Sequence, residues 1–265
     1  NWGGRRPEPG DVVGPAGQGT TVRVDPARFI ASEGSVTVID LAAGKAVKEI
    51  VLGRHASAMA LAPSGRHLVV ANAADDTLSV IDTASDLVVE TISVAWQPKD
   101  YFGASPNAGA FDPGGGTLYA GLGTQNAVLA VGFSPGASKL LGLIPVGWFP
   151  GAILFDAGRR TLHVANVKGR GSGRDIAAGA PVKYNSHQHF GTLSLVKAPD
   201  EKELVEHTRR VLANCRREML EAAQLPPRPG VAPRPVPERS GEPSGFKHVV
   251  YIIKENRTYD QVFGD

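Results

Sequence analysis

The chain has 265 residues, of which 42% are hydrophobic, so it can bury a core and is not disordered throughout. Its formal net charge of +2 argues against a nucleic-acid partner held by bulk charge, and its single cysteine excludes an internal disulfide and a Cys-rich zinc site. No run approaches the roughly 18 apolar residues that a membrane helix needs, so we expect no transmembrane segment in this chain.

A repeated unit of short strands follows the N-terminal residues. Residues 38–47 recur as residues 80–89, an offset of 42 (80 − 38). A turn followed by a strand, at residues 63–72, returns at residues 112–121 and 156–166. A period of roughly 40–50 residues made of short strands is typical of β-propeller blades. The 32 glycines and 20 prolines also favour turns over long helices.

We therefore predict a mainly β fold, with a partial β-propeller of about 3–4 blades over residues 1–199. Residues 190–197 are interpreted as one strand of a further, following blade. Four aspartates recur at the turns of the repeats, and their side chains are expected to accept hydrogen bonds from nearby backbone amides. They are Asp40, Asp82, Asp112 and Asp156.

Residues 200–224 change to a helical pattern. Asp200 and Glu203 have the spacing of a capping box after Pro199. Six residues then fall on one face at helical spacing, which predicts one amphipathic helix of about six to seven turns. They are Leu204, Thr208, Val211, Cys215, Met219 and Ala222.

Seven prolines in residues 225–245 predict an extended, semi-rigid linker and a domain boundary. The β-branched run at 246–253 that follows predicts a strand buried on both faces of a parallel sheet. Glu255 and Asn256 come directly after this strand, and sites in open α/β sheets form beyond the carboxyl ends of strands. Residues 246–265 are thus predicted to begin a second, α/β domain.

Two stretches resemble known families. The repeat sequences at 68–72 and 78–83 resemble the YVTN-type propeller repeats of bacteria and archaea. The sequence at 247–264 resembles the start of the phosphoesterase family, which includes phospholipase C-type and acid phosphatase-type enzymes of the alkaline phosphatase superfamily. The order of propeller, Pro-rich linker and this motif is similar to that of bifunctional propeller–phosphoesterase proteins. The resemblance implies that residues 246–265 are the truncated start of the hydrolase domain.

The phosphoesterase resemblance implies that Glu255 and Asn256 are ligands of a divalent metal ion, which would polarise the phosphoryl oxygen. Arg257, Thr258 and Asp260 are candidates for orienting these ligands, although Arg257 and Asp260 also fit a local ion pair or a helix start. The implied activity is hydrolysis of phosphoric esters, with a phosphoester small molecule or a phospholipid as substrate. The implied location is the periplasm or the outside of the cell.

Two other functions stay open on the sequence alone. The propeller can instead belong to a non-enzymatic protein that binds a ligand, a protein or an envelope component, or it can have a structural role in the cell envelope. The chain starts at Asn1 without an initiator Met and stops at Asp265 soon after a strand pattern, so we expect both ends to be truncations. No catalytic nucleophile is expected within the chain, which on this interpretation is inactive by itself.

Two further patterns are interpreted as having no metal or phosphate role. His187 and His189 would face the same side of a strand, but no third ligand is near them in the sequence. The glycine-rich stretch 169–174 lacks the Lys-Ser/Thr ending of a phosphate-binding loop and the helix that should follow it. It is interpreted as a flexible insert.

Overall fold

The repeats fold into antiparallel sheets in which strands adjacent in the chain are adjacent in space. This computed structural model describes residues 1–97, 103–169 and 189–252. An N-terminal hairpin and a two-stranded sheet come first. Their strands are β1 (Val13–Gly17) with β2 (Thr20–Arg23), and β3 (Gly34–Asp40) with β4 (Lys45–Leu52).

Three larger sheets follow along the chain. The first contains β5 (Ala56–Leu61), β6 (His67–Asn72), β7 (Thr77–Asp82) and β8 (Leu87–Ser93). The second contains β9 (Pro106–Phe111), β10 (Thr117–Leu122), β11 (Ala127–Gly132) and β12 (Lys139–Pro145). The third contains β13 (Trp148–Asp156), β14 (Thr161–Gly169) and β15 (Thr192–Lys197). The chain is mainly β, as predicted.

The sheets stack face to face as successive blades of a partial propeller. The first strand of each large sheet contacts the first strand of the next, β5 against β9 and β9 against β13. Alternate residues of β6 and β7 therefore enter two different cores. Val69 and Val80 pack towards the β9–β12 sheet, whereas Val70 and Ile81 pack towards β3 and β4. Because both faces of these strands are covered, residues 68–71 of β6 are all apolar, and the buried Ser79 is the one polar residue within the apolar run 78–81 of β7.

The recurring aspartates make the turn contacts that the sequence predicts. Asp40 Oδ1 accepts hydrogen bonds from the N–H groups of Ala42 and Ala43, at 2.9 and 3.1 Å. Asp82 accepts in the same way from the two residues that follow Thr83. Asp112 and Asp156 bond backbone amides in the turns after β9 and β13. The prediction for these four residues is confirmed.

Strand β15 belongs to the third sheet and not to a following blade, which corrects the prediction for residues 190–197. It pairs with β14 in register from Thr161↔Lys197 to Asn166↔Thr192. Its sequence matches that of β7, the third strand of an earlier blade, and this similarity explains its place. The residues between β14 and β15 are therefore an insertion in a hairpin.

The helical segment is two helices, α1 (Glu201–Asn214) and α2 (Arg217–Gln224), whereas the sequence predicts one. The capping box is present, with Asp200 accepting from the Glu203 N–H at 2.8 Å. The break lies at Arg216, whose φ of 52° is left-handed. It coincides with the end of the buried face, because no α2 residue is buried and Met219 is 58% exposed.

Helix α1 packs on β12, the outer strand of the second sheet. Leu204 and Val211 are buried there, and Gly142 of β12 lies so close that an added side chain would collide with Leu204. The Thr208 hydroxyl accepts the Leu143 N–H at 2.8 Å and donates to the Leu204 carbonyl at 2.7 Å. The helix thus covers an edge strand that would otherwise present unpaired backbone groups.

The Pro-rich segment 225–245 turns back on itself, which differs from the predicted extended linker. The Arg228 guanidinium donates two hydrogen bonds to Glu242, at 2.7 and 3.0 Å, and a third to Glu238 at 2.8 Å. The Glu242 side chain is only 2% exposed. Prolines exclude helix and central strand, as expected, but they do not prevent side-chain ion pairs from closing a loop.

The predicted strand at 246–253 is not formed by its described residues. Residues 246–252 pair with no strand among the described residues. The side chains of Val249, Val250, Tyr251 and Ile252 are 83%, 84%, 85% and 74% exposed. A β-branched run becomes a buried strand only when neighbouring strands supply backbone partners and covering side chains, and no described strand lies beside this one.

Candidate binding face

The predicted metal residues lie outside the described part of the chain. These are Glu255 and Asn256, with Arg257, Thr258 and Asp260 beside them. His187 of the histidine pair also lies outside it, while His189 is described and half-buried. Within residues 1–97, 103–169 and 189–252, no group of three or more His, Cys, Asp and Glu side chains is placed to hold a metal ion.

The loops at one end of the blades form a continuous surface, which we call the loop face. It consists of the chain before β5 and β9, the segment that leads into and begins β13, and the β6–β7 and β10–β11 turns. These are residues 53–55, 103–105, 146–149, 73–76 and 123–126. Backbone hydrogen bonds join these segments within the first two large sheets. The Ala73 N–H bonds the His55 carbonyl, and the Gly123 N–H bonds the Ser105 carbonyl, both at 3.0 Å.

The backbone of the loop face repeats its conformation from blade to blade. His55 and Ser105 directly precede β5 and β9, and Phe149 is the second residue of β13. Their φ angles of 57°, 52° and 58° are all left-handed. Such values are uncommon for residues other than glycine and cost roughly 1–2 kcal/mol each. The three side chains differ although the backbone is shared, so the repeat presents different chemistry at equivalent positions.

Acidic and amide side chains fix these loops between blades. Asp76, at the end of the β6–β7 turn, accepts from the N–H groups of Gly103, Ala104 and Ser105 at 2.5, 2.9 and 2.9 Å. Asn126 holds the equivalent place in the next blade. Its Oδ1 accepts the Phe149 N–H at 3.0 Å. Each side chain therefore ties one blade to the start of the next.

A buried amide lies beneath the loop face in two blades. Asn72 Nδ2 donates to Thr77 Oγ1 and Ser79 Oγ, at 3.0 and 2.8 Å. Asn166 Nδ2 donates to Thr192 Oγ1 and Ser194 Oγ, at 3.1 and 2.9 Å. These asparagines are not among the residues predicted from the sequence. The signal that could have found them is their shared place as the sixth residue of the second strand of a blade.

Aromatic side chains are exposed on the loop face and beside it. Trp148 is 52% exposed, and the Phe149 ring lies 5.5 Å from Lys168 Nζ in a cation–π contact. Trp2, from the N-terminal segment, lies 5.7 Å from the His55 ring. Exposed aromatic residues on a rigid surface are typical of binding sites rather than of structural packing. The arrangement is suited to contact with a ligand or a partner.

The comparisons give similarity at the level of fold. Hydrazine synthase of Kuenenia stuttgartiensis is 22% identical with a TM-score of 0.43, over 51% of this chain and 39% of that chain. Chaetomium thermophilum Sqt1, bound to the N-terminus of ribosomal protein L10, is 21% identical with a TM-score of 0.43. The match covers 52% of this chain and 39% of that chain. The β-propeller domain of Myceliophteria thermophila Cps50 (Swd1) is 15% identical with a TM-score of 0.41. The match covers 52% of this chain and 45% of that chain.

The chain spans less than half the length of each of these structures. No protein-family model matches the sequence, and no curated protein matches it. The assignment as a partial propeller rests on the four-stranded sheets, their connection order and their face-to-face packing. No helix in the described residues is long and apolar enough to cross a membrane.

Proposed function

We propose that the chain is the binding platform of a metal-dependent phosphoesterase. The loop face supports the platform, because its backbone is fixed by Asp76 and Asn126 while aromatic side chains such as Trp148 stay exposed. The phosphoesterase part rests on the sequence Glu255-Asn256 after the Pro-rich segment. A divalent metal ion held by these two residues would polarise the phosphoryl oxygen of the substrate.

The catalytic site on this proposal includes residues outside the 265-residue sequence. Two ligand side chains do not complete a catalytic metal site, which also needs a nucleophile and further ligands. The substrate is a phosphoester small molecule or a phospholipid, and the enzyme acts in the periplasm or outside the cell. The 265-residue chain by itself is expected to hydrolyse neither 4-nitrophenyl phosphate nor bis(4-nitrophenyl) phosphate.

The test uses the chain extended along its reading frame beyond Asp265. Hydrolysis of the two nitrophenyl esters is measured with and without EDTA, for the wild type, for Glu255→Gln and for the control Glu218→Gln. We expect EDTA and Glu255→Gln each to reduce the rate to the background, and Glu218→Gln to leave it unchanged. A stop codon directly after Asp265, or an active Glu255→Gln variant, would refute the enzymatic part.

A second candidate is a non-enzymatic propeller that binds a protein or an envelope component. The observation that favours it is the loop face itself, since its exposed aromatic side chains need no metal ion to make a contact. The same extended chain separates the two functions. A folded protein that hydrolyses neither ester under any metal condition supports the binding function.

A further inference from the structure

An open cleft of about 580 Å³ lies between the N-terminal segment and the loop face. Its walls carry two aromatic rings, two guanidinium groups and aliphatic side chains. The residues are Trp2, His55, Arg28, Arg54, Ile30 and Ala74. The volume lies within the range of roughly 300–1,000 Å³ that is usual for small-molecule sites. We call it the Trp2 cleft.

The charges that line the Trp2 cleft are all positive. Arg28 Nη2 bonds Asp25 Oδ2 at 3.0 Å, and Arg54 Nε bonds Asp75 Oδ1 at 2.5 Å. Neither of these two carboxylates lines the cleft, and among the described residues that do, none is acidic. A guanidinium has five N–H donors, so each arginine is oriented by its carboxylate and retains donors for a ligand. The cleft is therefore suited to an anion.

The aromatic walls add a preference for a flat apolar body. The Trp2 and His55 rings are inclined at 46° with their centroids 5.7 Å apart. Trp2 is 46% exposed and Ile30 is 43% exposed, although both line a concave surface. A planar ring entering the cleft would cover apolar area that now faces water, and would stack on the indole.

We propose that the Trp2 cleft binds a planar aromatic anion, with its ring against Trp2 and its carboxylate or phosphate on Arg28 and Arg54. Binding needs neither Glu255 nor a metal ion, so the cleft is a ligand site additional to the proposed phosphoesterase site. A guanidinium pairs with carboxylate and phosphate by the same two parallel hydrogen bonds, and the two anions are therefore separate arms of the test.

The experiment is isothermal titration calorimetry on the 265-residue chain at about 0.15 M salt, where long-range attraction is screened. The probes are 2-naphthoate, 1-naphthyl phosphate, 2-naphthalenemethanol and inorganic phosphate. We expect at least one aromatic anion to bind about tenfold more tightly than both the ring without charge and the charge without ring. The stronger of the two anions identifies the acidic group that the cleft prefers.

Matched variants locate the binding. Arg28→Gln should weaken the aromatic anion about three- to tenfold. The control Arg159→Gln should not weaken it. Arg159 is paired with Asp156, three residues before it, just as Arg28 is paired with Asp25. Trp2→Ala should abolish binding, and Trp2→Phe should restore most of it. Thermal melts verify that each variant is folded.

Three results would overturn the proposal. They are equal affinity in Arg28→Gln and Arg159→Gln, inorganic phosphate binding as tightly as the aromatic anions, and no binding of either aromatic anion to the folded wild type. If Trp2→Ala and Trp2→Phe are folded and bind as the wild type does, the ring contact is also refuted.

Discussion

Asp76 has a central role at the scale of single residues. Its carboxylate accepts hydrogen bonds from three backbone N–H groups directly before the first strand of the next blade. Its side chain is nearly buried, with the residue 7% exposed. Without it, the three amides would lose their acceptor in a place that water reaches poorly, which is more costly than the loss of an exposed hydrogen bond.

We predict that Asp76→Ala destabilises the fold by about 2–4 kcal/mol in urea denaturation. The control is Asp86→Ala, because Asp86 also has a left-handed φ (54° against 51°) but only an ion pair with Lys48 between partly exposed side chains. Any strain from alanine at positive φ is common to both variants. Asp76→Asn should be closer to the wild type, as Asn126 has this role in the next blade. Equal losses in the two alanine variants would contradict the prediction.

Asp82 gives the stability a dependence on pH. Its hydrogen bond from Arg66, together with those from Ser85 and Ala84, lowers the pKa of Asp82 to about 2. A carboxyl with a lowered pKa stabilises the fold above its unfolded pKa of about 3.9, and this contribution disappears as the pH falls towards 2. The stabilising contribution of Asp82 is therefore constant at neutral and alkaline pH and is lost only in acid.

We predict that the melting temperature falls further for the wild type than for Asp82→Asn between pH 5 and pH 2, because only the wild type has the Asp82 carboxylate to protonate. Arg66→Gln should shift the wild-type transition to higher pH, since it removes the largest cause of the lowered pKa. Thermal melts followed by circular dichroism across this range measure both effects. Parallel curves for the wild type and Asp82→Asn would show that Asp82 has no such role.

The residues that sequence reasoning found and missed differ in the range of their contacts. Asp40 and Asp82 bond amides two and three residues away, so the local sequence is sufficient to predict them. Asp76 reaches amides 27 to 29 residues away. Asn166 bonds hydroxyl groups 26 and 28 residues further along the chain, whereas Asn72 bonds the equivalent groups 5 and 7 residues further along. The insertion conceals the shared motif.

At the scale of elements, helix α1 and strand β12 stabilise one another through Thr208. The helix covers the outer edge of the second sheet, and the Thr208 hydroxyl accepts an N–H of that edge. The apolar side chains on either side, Leu204 and Val211, belong to two different cores, so α1 joins the packing of both faces of the sheet. The helix is part of the fold of the propeller rather than a separate unit.

We predict that Thr208→Val destabilises the chain by about 1–3 kcal/mol, because valine has the same shape but leaves the Leu143 N–H without an acceptor. Thr208→Ser keeps the hydroxyl and should lose less. Urea denaturation gives the stabilities, and hydrogen exchange should show faster exchange of the Leu143 amide in Thr208→Val alone. If serine and valine are equally destabilising, the hydrogen bond is not the cause.

The elements that were predicted correctly have strong local patterns. The strands of the repeats alternate or are uniformly apolar, and the capping box at Asp200 is a short-range signal. The sequence does not reveal the break at Arg216, because the apolar spacing continues beyond this residue. The buried face of the helical segment nevertheless ends there. The Arg228–Glu242 pair spans fourteen residues of a Pro-rich segment, and composition does not reveal such a pair.

At the scale of the whole molecule, the stack of sheets ends in an exposed apolar face. Neighbouring sheets lie on both faces of the β5–β8 and β9–β12 sheets, whereas no sheet among the described residues covers one face of the β13–β15 sheet. Leu154, Leu193 and Leu195 are 63%, 61% and 63% exposed on it. A contiguous apolar face of this kind promotes association when nothing covers it.

We predict that the 265-residue chain self-associates as its concentration rises and that Leu195→Glu reduces this association. A charge on the face must be desolvated before the face can be covered. The control is Leu41→Glu, since Leu41 is 91% exposed in a turn outside the face. Light scattering after size-exclusion chromatography gives the molar mass at each concentration. Identical mass curves for the two variants would mean that the open face does not drive association.

The hairpin between β14 and β15 has a practical consequence. The equivalent turns in the other two large sheets have four residues each, 73–76 and 123–126. In the third sheet, residues 170–191 separate β14 from β15. The strands nevertheless pair in register at six positions. The pairing of β14 with β15 is therefore kept although more residues separate them than separate the corresponding strands of the other two large sheets. For protein engineering, we expect this connection to be the place in the blade where an inserted epitope tag is least disruptive.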